Sequence, residues 1–155
     1  MNVIGIVPAR MAASRFPGKP LHPICGKAML EHVFERANLY EGWDRLVIAT
    51  CDLEIEEFSK KKGLPVVMTG KHHTRALDRV AEGCEKLEIE LSEQDIIVCV
   101  QGDEPMIDPK MIDQLIYPVT KFEKELQDMI NDENSESNDD QDKEIYEELK
   151  KMGYA

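Results

Sequence analysis

Four short apolar runs, each followed by a polar turn and then a stretch of helical periodicity, limit what this chain can fold into. They are Val3-Ile4-Gly5-Ile6-Val7, Leu46-Val47-Ile48-Ala49-Thr50, Pro65-Val66-Val67-Met68 and Ile96-Ile97-Val98-Cys99-Val100. Short continuous apolar runs rich in β-branched residues read as strands buried on both faces, the pattern of a parallel sheet. Residues 27–39 carry Met29, Leu30, Val33, Phe34 and Ala37 at helical spacing, with Gly42 beyond them. Residues 53–62 place Ile55 and Phe58 between Asp52, an expected cap, and Gly63, an expected stop. Helices are also predicted over 75–88, with Ala76, Leu77, Val80, Ala81, Cys84 and Leu87 on one face, and over 109–126, with Met111, Ile112, Leu115 and Ile116 inward. Repeated units of this length mean an α/β fold, a mostly parallel sheet with right-handed crossovers and helices on both faces.

Chemistry collects after two of the strands. The first is followed by a loop, Pro8-Ala9-Arg10-Met11-Ala12-Ala13-Ser14-Arg15-Phe16-Pro17-Gly18-Lys19-Pro20, that carries three cations. Single loop arginines are usually just solvated. Three cations at the carboxyl end of a first parallel strand, where open α/β sheets bind ligands, point to a polyphosphate. The loop is not a Walker A motif, since Ala13 stands where a glycine is needed and Pro20 follows Lys19. It has no G-x-G-x-x-G fingerprint either, so side-chain charge has to replace a glycine cradle. The fourth strand leads into Gln101-Gly102-Asp103-Glu104-Pro105 at the same edge. Gly102 permits a close approach, Asp103 is placed to hold a divalent cation, and Gln101 offers a donor and an acceptor to a base or ribose. The plainer reading is a polar turn in which Asp103 caps the following helix.

Composition narrows the function classes. Charged residues are 32% and apolar residues 42% of the 155, ordinary for a soluble globular chain. The net charge of −12 argues against general nucleic-acid binding, which needs a basic surface. No apolar run reaches the roughly 20 residues that span a bilayer, and Met1-Asn2 has no basic flank of a signal peptide. Cys25, Cys51, Cys84 and Cys99 are far apart, so buried thiols in a reducing cytoplasm are expected rather than a metal site or disulfides. The domain is expected over 1–126. Residues 127–155 hold 10 acidic and 3 basic side chains, and Asn131 to Asp142 contains no apolar residue. An acidic, disordered tail is expected there, with a short helix over 143–152 built on Ile145, Tyr146, Leu149 and Met152.

Val7-Pro8-Ala9-Arg10, Ser14-Arg15-Phe16-Pro17-Gly18-Lys19-Pro20-Leu21 and Gly26-Lys27-Ala28-Met29 resemble the opening of the 3-deoxy-manno-octulosonate (KDO) cytidylyltransferase family. Val47-Ile48-Ala49-Thr50, Val67-Met68-Thr69, His73, Asp78-Arg79-Val80-Ala81-Glu82 and Val100-Gln101-Gly102-Asp103-Glu104-Pro105 continue the match, which covers about residues 1–122. The resemblance implies a Rossmann-like nucleotide-diphospho-sugar transferase fold, truncated. It also implies magnesium-dependent transfer of CMP from CTP to an acidic, KDO-like sugar in lipopolysaccharide nucleotide-sugar biosynthesis, with release of pyrophosphate. Carried over residue by residue, Arg10, Arg15 and Lys19 would hold the triphosphate and Asp103 would bind Mg2+, with Arg10, Lys19 and Asp103 catalytic. Pro8, Ala9, His73, Arg79 and Gln101 would surround the cytidine. Where the family usually shows Ser-Gly-Thr, this chain has Arg75-Ala76-Leu77. The family's second half supplies much of the sugar pocket and the dimer surface, and no counterpart is expected after about residue 122. Three readings therefore stay open: an active enzyme, a CTP-binding half that needs a partner chain, and a structural relic. So does the choice between a homodimer and a complementing chain; no nucleic-acid or membrane partner is expected.

Overall fold

The strand–helix alternation is what the chain adopts. The computed structural model describes residues 1–12 and 16–135. In chain order its elements are β1 (Val3–Ala9), a 3-10 turn (Lys19–Leu21), β2 (Pro23–Ile24), β3 (Lys27–Ala28), α1 (Met29–Ala37), β4 (Arg45–Thr50), α2 (Leu53–Lys62), β5 (Val66–Met68), α3 (Ala76–Glu85), β6 (Ile96–Cys99) and α4 (Pro109–Ser135). Four strands form one sheet in the order β5-β4-β1-β6, and every pairing in it is parallel. From β1 the chain winds outward through β4 to β5, then returns to β1's other side with β6. The winding direction therefore reverses between β1 and β6, and the crevice beyond the carboxyl ends of those two strands is where such sheets take ligands.

Alternation along β1 divides the core. Val3, Val7 and Ala9 face a cluster with Leu30, Val33, Phe34 and Ala37 of α1, Ile55 of α2, and Ile112 and Ile116 of α4. Ile4 and Ile6 face the opposite side, against Val47, Ala49 and the α3 residues Val80 and Cys84. Helices thus cover both faces, as expected. Ile4, Ile6, Leu30, Ile48 and Ile55 are fully buried, and each such side chain contributes about 1.5–3 kcal/mol through burial.

Pro8 sits in a central strand, where proline is rare because it cannot donate to a ladder. Its position explains the tolerance. The Ile6 carbonyl accepts the Val100 N–H at 2.9 Å, and the β1–β6 register ends at Ile6 opposite Cys99. Pro8, two residues on, faces the same side but lies past the last rung, while still opposing Ala49 of β4.

Several expectations are corrected. Helix α1 begins at Met29 rather than at 27, because Pro23–Ile24 and Lys27–Ala28 pair as an antiparallel hairpin. Its two turn residues, Cys25 and Gly26, both have positive φ, 50° and 82°, the geometry of a tight hairpin turn. Asp52 occupies the cap position of α2, but its carboxylate makes no capping bond. Of the four thiols only Cys84 is buried; Cys51 and Cys99 are half-buried and Cys25 is exposed. Helix α4 continues to Ser135, so 127–135 are helical. One compact unit comprises Met1–Ile116 and a second begins at Tyr117. The helix expected over 143–152 lies outside the described residues. Among the described residues no helix is long and apolar enough to cross a membrane.

Candidate functional site

Both charged loops are fixed by backbone bonds before any ligand is considered. In the loop after β1, the Met11 N–H donates to Asp52 Oδ2 at 2.8 Å, tying it to the end of β4. The Gly18 N–H donates to the Met11 carbonyl at 2.9 Å, which closes the loop at its neck. Pro20 is buried within the 3-10 turn that follows, so Lys19 projects from an anchored base. In the loop after β6, Glu104 N–H donates to the Gln101 carbonyl at 3.2 Å and Ile107 N–H to the Glu104 carbonyl at 3.0 Å. Arg36 of α1 clamps this second loop, Nε donating to the Ile107 carbonyl at 2.7 Å. Asp108, not Asp103, caps α4: its Oδ1 accepts the Lys110 N–H at 3.0 Å. Asp103 is therefore free of the structural duty of the plainer reading.

The two loops meet. Lys19 Nζ lies 2.8 Å from Asp103 Oδ2. With side chains 37% and 56% exposed, this pair is worth only about 0.2–1 kcal/mol and is easily exchanged for stronger partners. Beneath it the backbones touch. A Cβ on Gly102 would run into the Pro8 carbonyl oxygen, so glycine is what lets the β6 loop close on the end of β1.

Beside this junction lies a pocket of about 150 Å³ lined by Pro8, Ala9, Arg10, His73, Thr74, Arg75, Ala76 and Arg79. A cavity of roughly that volume admits one six-membered ring. Arg79, on the first turn of α3, is 3% exposed; it donates through Nη1 to Thr69 Oγ1 and, at 3.4 Å, to the Gly70 carbonyl. A buried guanidinium held this way is a rigid wall. His73 is fixed by Nε2 against Glu82 Oε2, and that oxygen also accepts the Gly70 N–H at 2.8 Å. The Lys86 ammonium on the other carboxylate oxygen, the Gly70 N–H and His73 together hold the Glu82 carboxyl at about 2.

Of the residues singled out in the sequence, Pro8, Ala9, Arg10, His73 and Arg79 come together in this pocket, and Lys19 and Asp103 meet at its neighbouring junction. Gln101 does not line the pocket; its side chain is exposed, with Nε2 toward Cys99 Sγ at 3.9 Å. Arg15 lies outside the described residues. Thr74, Arg75 and Ala76 are pocket wall too, though none of them is among the site residues that the sequence singles out. Thr69 and Glu82 stand in the quoted motifs and Asp52 as an expected cap, but the sequence does not show that they hold Arg79, His73 and the Met11 N–H.

The cytidylyltransferase family model matches residues 4–154, beyond the stretch in which the motifs stand. The chain is 45% identical over 114 residues to a 3-deoxy-manno-octulosonate cytidylyltransferase of Nitratidesulfovibrio vulgaris, covering 74% of this chain and 44% of that protein. It is 44% identical over 124 residues to an 8-amino-3,8-dideoxy-manno-octulosonate cytidylyltransferase of Shewanella loihica, covering 80% and 49%. A solved CMP:2-keto-3-deoxy-manno-octonic acid synthetase complexed with CTP superimposes with a TM-score of 0.70 at 36% identity, over 78% of this chain and 48% of that one. A cytidylyltransferase structure from Leptospira borgpetersenii gives 0.62 at 28% identity, over 75% and 48%. The chain thus spans about half the length of the relatives it matches.

Proposed function

The chain belongs to the cytidylyltransferase family, and from that premise we propose that it binds CTP and transfers CMP to a KDO-like acidic sugar, releasing pyrophosphate. The observation that carries the proposal is the Lys19–Asp103 pair, which sets a cation and a carboxylate side by side at the β1–β6 crevice. Nucleotidyl transfer at phosphorus needs little covalent chemistry from a protein; positioning and charge neutralisation do most of it. In this reading Lys19 leaves Asp103 for the triphosphate. A hydrogen bond to a charged group contributes roughly 1.5–3 kcal/mol, more than the exposed pair it replaces. Arg10, exposed at the rim of the ring-sized pocket, neutralises phosphate charge beside it. The pocket has room for the single ring of a pyrimidine. Arg79 and His73 supply fixed donors along its wall. The sugar hydroxyl is the nucleophile, so no side chain has to be covalently modified.

Asp103 also fits a magnesium ion. Its exposed carboxylate is a hard oxygen donor, and magnesium typically takes one or two carboxylates together with phosphate oxygens. When bound, such an ion would neutralise phosphate charge. Asp103 would be the residue of this crevice that holds it. The four unpaired thiols support a reducing, cytoplasmic setting.

One observation favours a second reading, a CTP-binding half completed by another chain. Met106, Met111 and Leu115 are 78%, 60% and 63% exposed, while Ile112 and Ile116, on the same helix as Met111 and Leu115, are buried. Calorimetric titration with magnesium–CTP, using ATP, GTP and UTP as controls, tests nucleotide recognition. Pyrophosphate release with CTP and KDO then separates the two readings: turnover by this chain alone supports the first, and selective CTP binding without turnover supports the second. No binding of any nucleotide would refute both.

A further inference from the structure

His72, His73 and Glu82 each bring one ligand atom to within 4.8 Å of the others, on the side of α3 that meets the loop after β5. The residues around them are built to keep that arrangement. A Cβ on Gly70 would fall on the His72 ring, so the absence of a side chain there lets the imidazole lie over the backbone next to Glu82 Oε2. The two imidazole rings lie with centroids 4.1 Å apart. Glu82 has an outer layer of its own: Gly70 N–H donates to Oε2 at 2.8 Å, and Lys86 Nζ sits 2.6 Å from Oε1 while also donating to the Met68 carbonyl at 2.9 Å. Carboxylates that ligate metals are oriented by outer hydrogen bonds of this kind.

From this geometry we infer that His72, His73 and Glu82 form a binding site for a borderline divalent transition ion such as Zn2+, set behind the ring-sized pocket and sharing His73 with it. Two imidazole nitrogens, one carboxylate oxygen and an open position toward solvent are the donor set of three-ligand zinc sites. Magnesium, which selects oxygen ligands, is a poor match for it. The site is half-buried at His73 and Glu82 and open at His72, which gives an ion an entry path. A metal here takes the place of the hydrogen bond between His73 Nε2 and Glu82 Oε2. It also fixes the ring of His73, one wall of the 150 Å³ pocket. The inference rests on these three side chains and not on the nucleotide chemistry.

The test is titration of the untagged full chain with Zn2+ by calorimetry and with Co2+ by visible absorption. One saturable equivalent is expected, with d–d bands of a low-coordinate Co2+ ion and no thiolate charge-transfer band. His72→Ala, at an exposed position, is expected to abolish the binding while leaving the melting temperature unchanged. Lys86→Met, which removes an outer support, is expected to weaken it about 10–100-fold. Absence of stoichiometric binding, a thiolate band, or full binding by His72→Ala would each overturn the inference.

Discussion

Replacing Gly102 by alanine probes the joint on which the site depends. The added Cβ meets the Pro8 carbonyl oxygen, and both partners are backbone, so neither can swing aside as a side chain would. Relief requires the β6 loop to lift off the end of β1, an overpacking cost of about 1–3 kcal/mol. For a unit of this size that is a fall in melting temperature of roughly 3–10 °C. The same displacement separates Asp103 from Lys19 and shifts Pro8 at the pocket wall, so magnesium–CTP affinity should drop about tenfold, or 1.4 kcal/mol. Gly63→Ala is the control. Gly63 ends α2 at φ 69° and an added Cβ there meets nothing within 4 Å, so the change costs only torsional strain. That strain, about 1–2 kcal/mol, is partly offset by the stiffer unfolded chain, leaving a loss near 0–1 kcal/mol. It is far from the crevice and should leave nucleotide affinity unchanged. Thermal denaturation and calorimetry on both variants decide the matter. If Gly102→Ala melts within about 1 °C of the parent and binds CTP normally, the reasoning about a backbone joint is refuted.

Three further outcomes are expected. Lys19→Ala should lower CTP affinity roughly 10–100-fold in calorimetry, because a charged phosphate contact is lost, yet shift the melting temperature by less than about 3 °C, because the Asp103 pair is exposed. Asp95 is held well below the usual carboxylate range by the Ser92 and Asn2 N–H groups, which fasten the start of β1 to the turn before β6. A depressed native value means the unfolded chain binds more protons, so the stability from Asp95 is complete above about pH 4 and lost as pH falls below it. Asp95→Asn should flatten that acid limb in denaturation curves measured between about pH 5 and pH 2. Cys25→Asn should raise stability by about 0.5–1 kcal/mol in denaturant titration, since asparagine tolerates the positive φ that cysteine holds there; an unchanged midpoint would count against strain at this turn.

The sequence was most readable where burial dictates residue type. The four apolar runs marked the sheet, and the spacing of Leu30, Val33 and Phe34 or of Val80 and Cys84 marked the helices, because one face of each must meet the core. The hairpin over Pro23–Ala28 escaped because strands of two residues have no periodicity, and because cysteine is an unusual occupant of a positive-φ turn position. Helix α4 runs past the expected boundary at 126 into residues 131–135, which carry no apolar periodicity to mark a helix. At the site, the positions of Arg10, Lys19 and Asp103 followed from strand ends, which topology fixes. That Asp52 serves Met11 rather than its own helix depends on a partner 41 residues away, and where Gln101 points follows a weak contact with Cys99 two residues back. No local pattern encodes either.

Pro8 makes the crevice a property of the main chain. An imino nitrogen carries no hydrogen, so the seam between the two strands has nothing with which to zip further, whatever side chains surround it. The opening is therefore insulated from drift in its own lining. Side chains such as Arg75 and Ala76 can differ without sealing the opening, because the missing hydrogen belongs to the backbone.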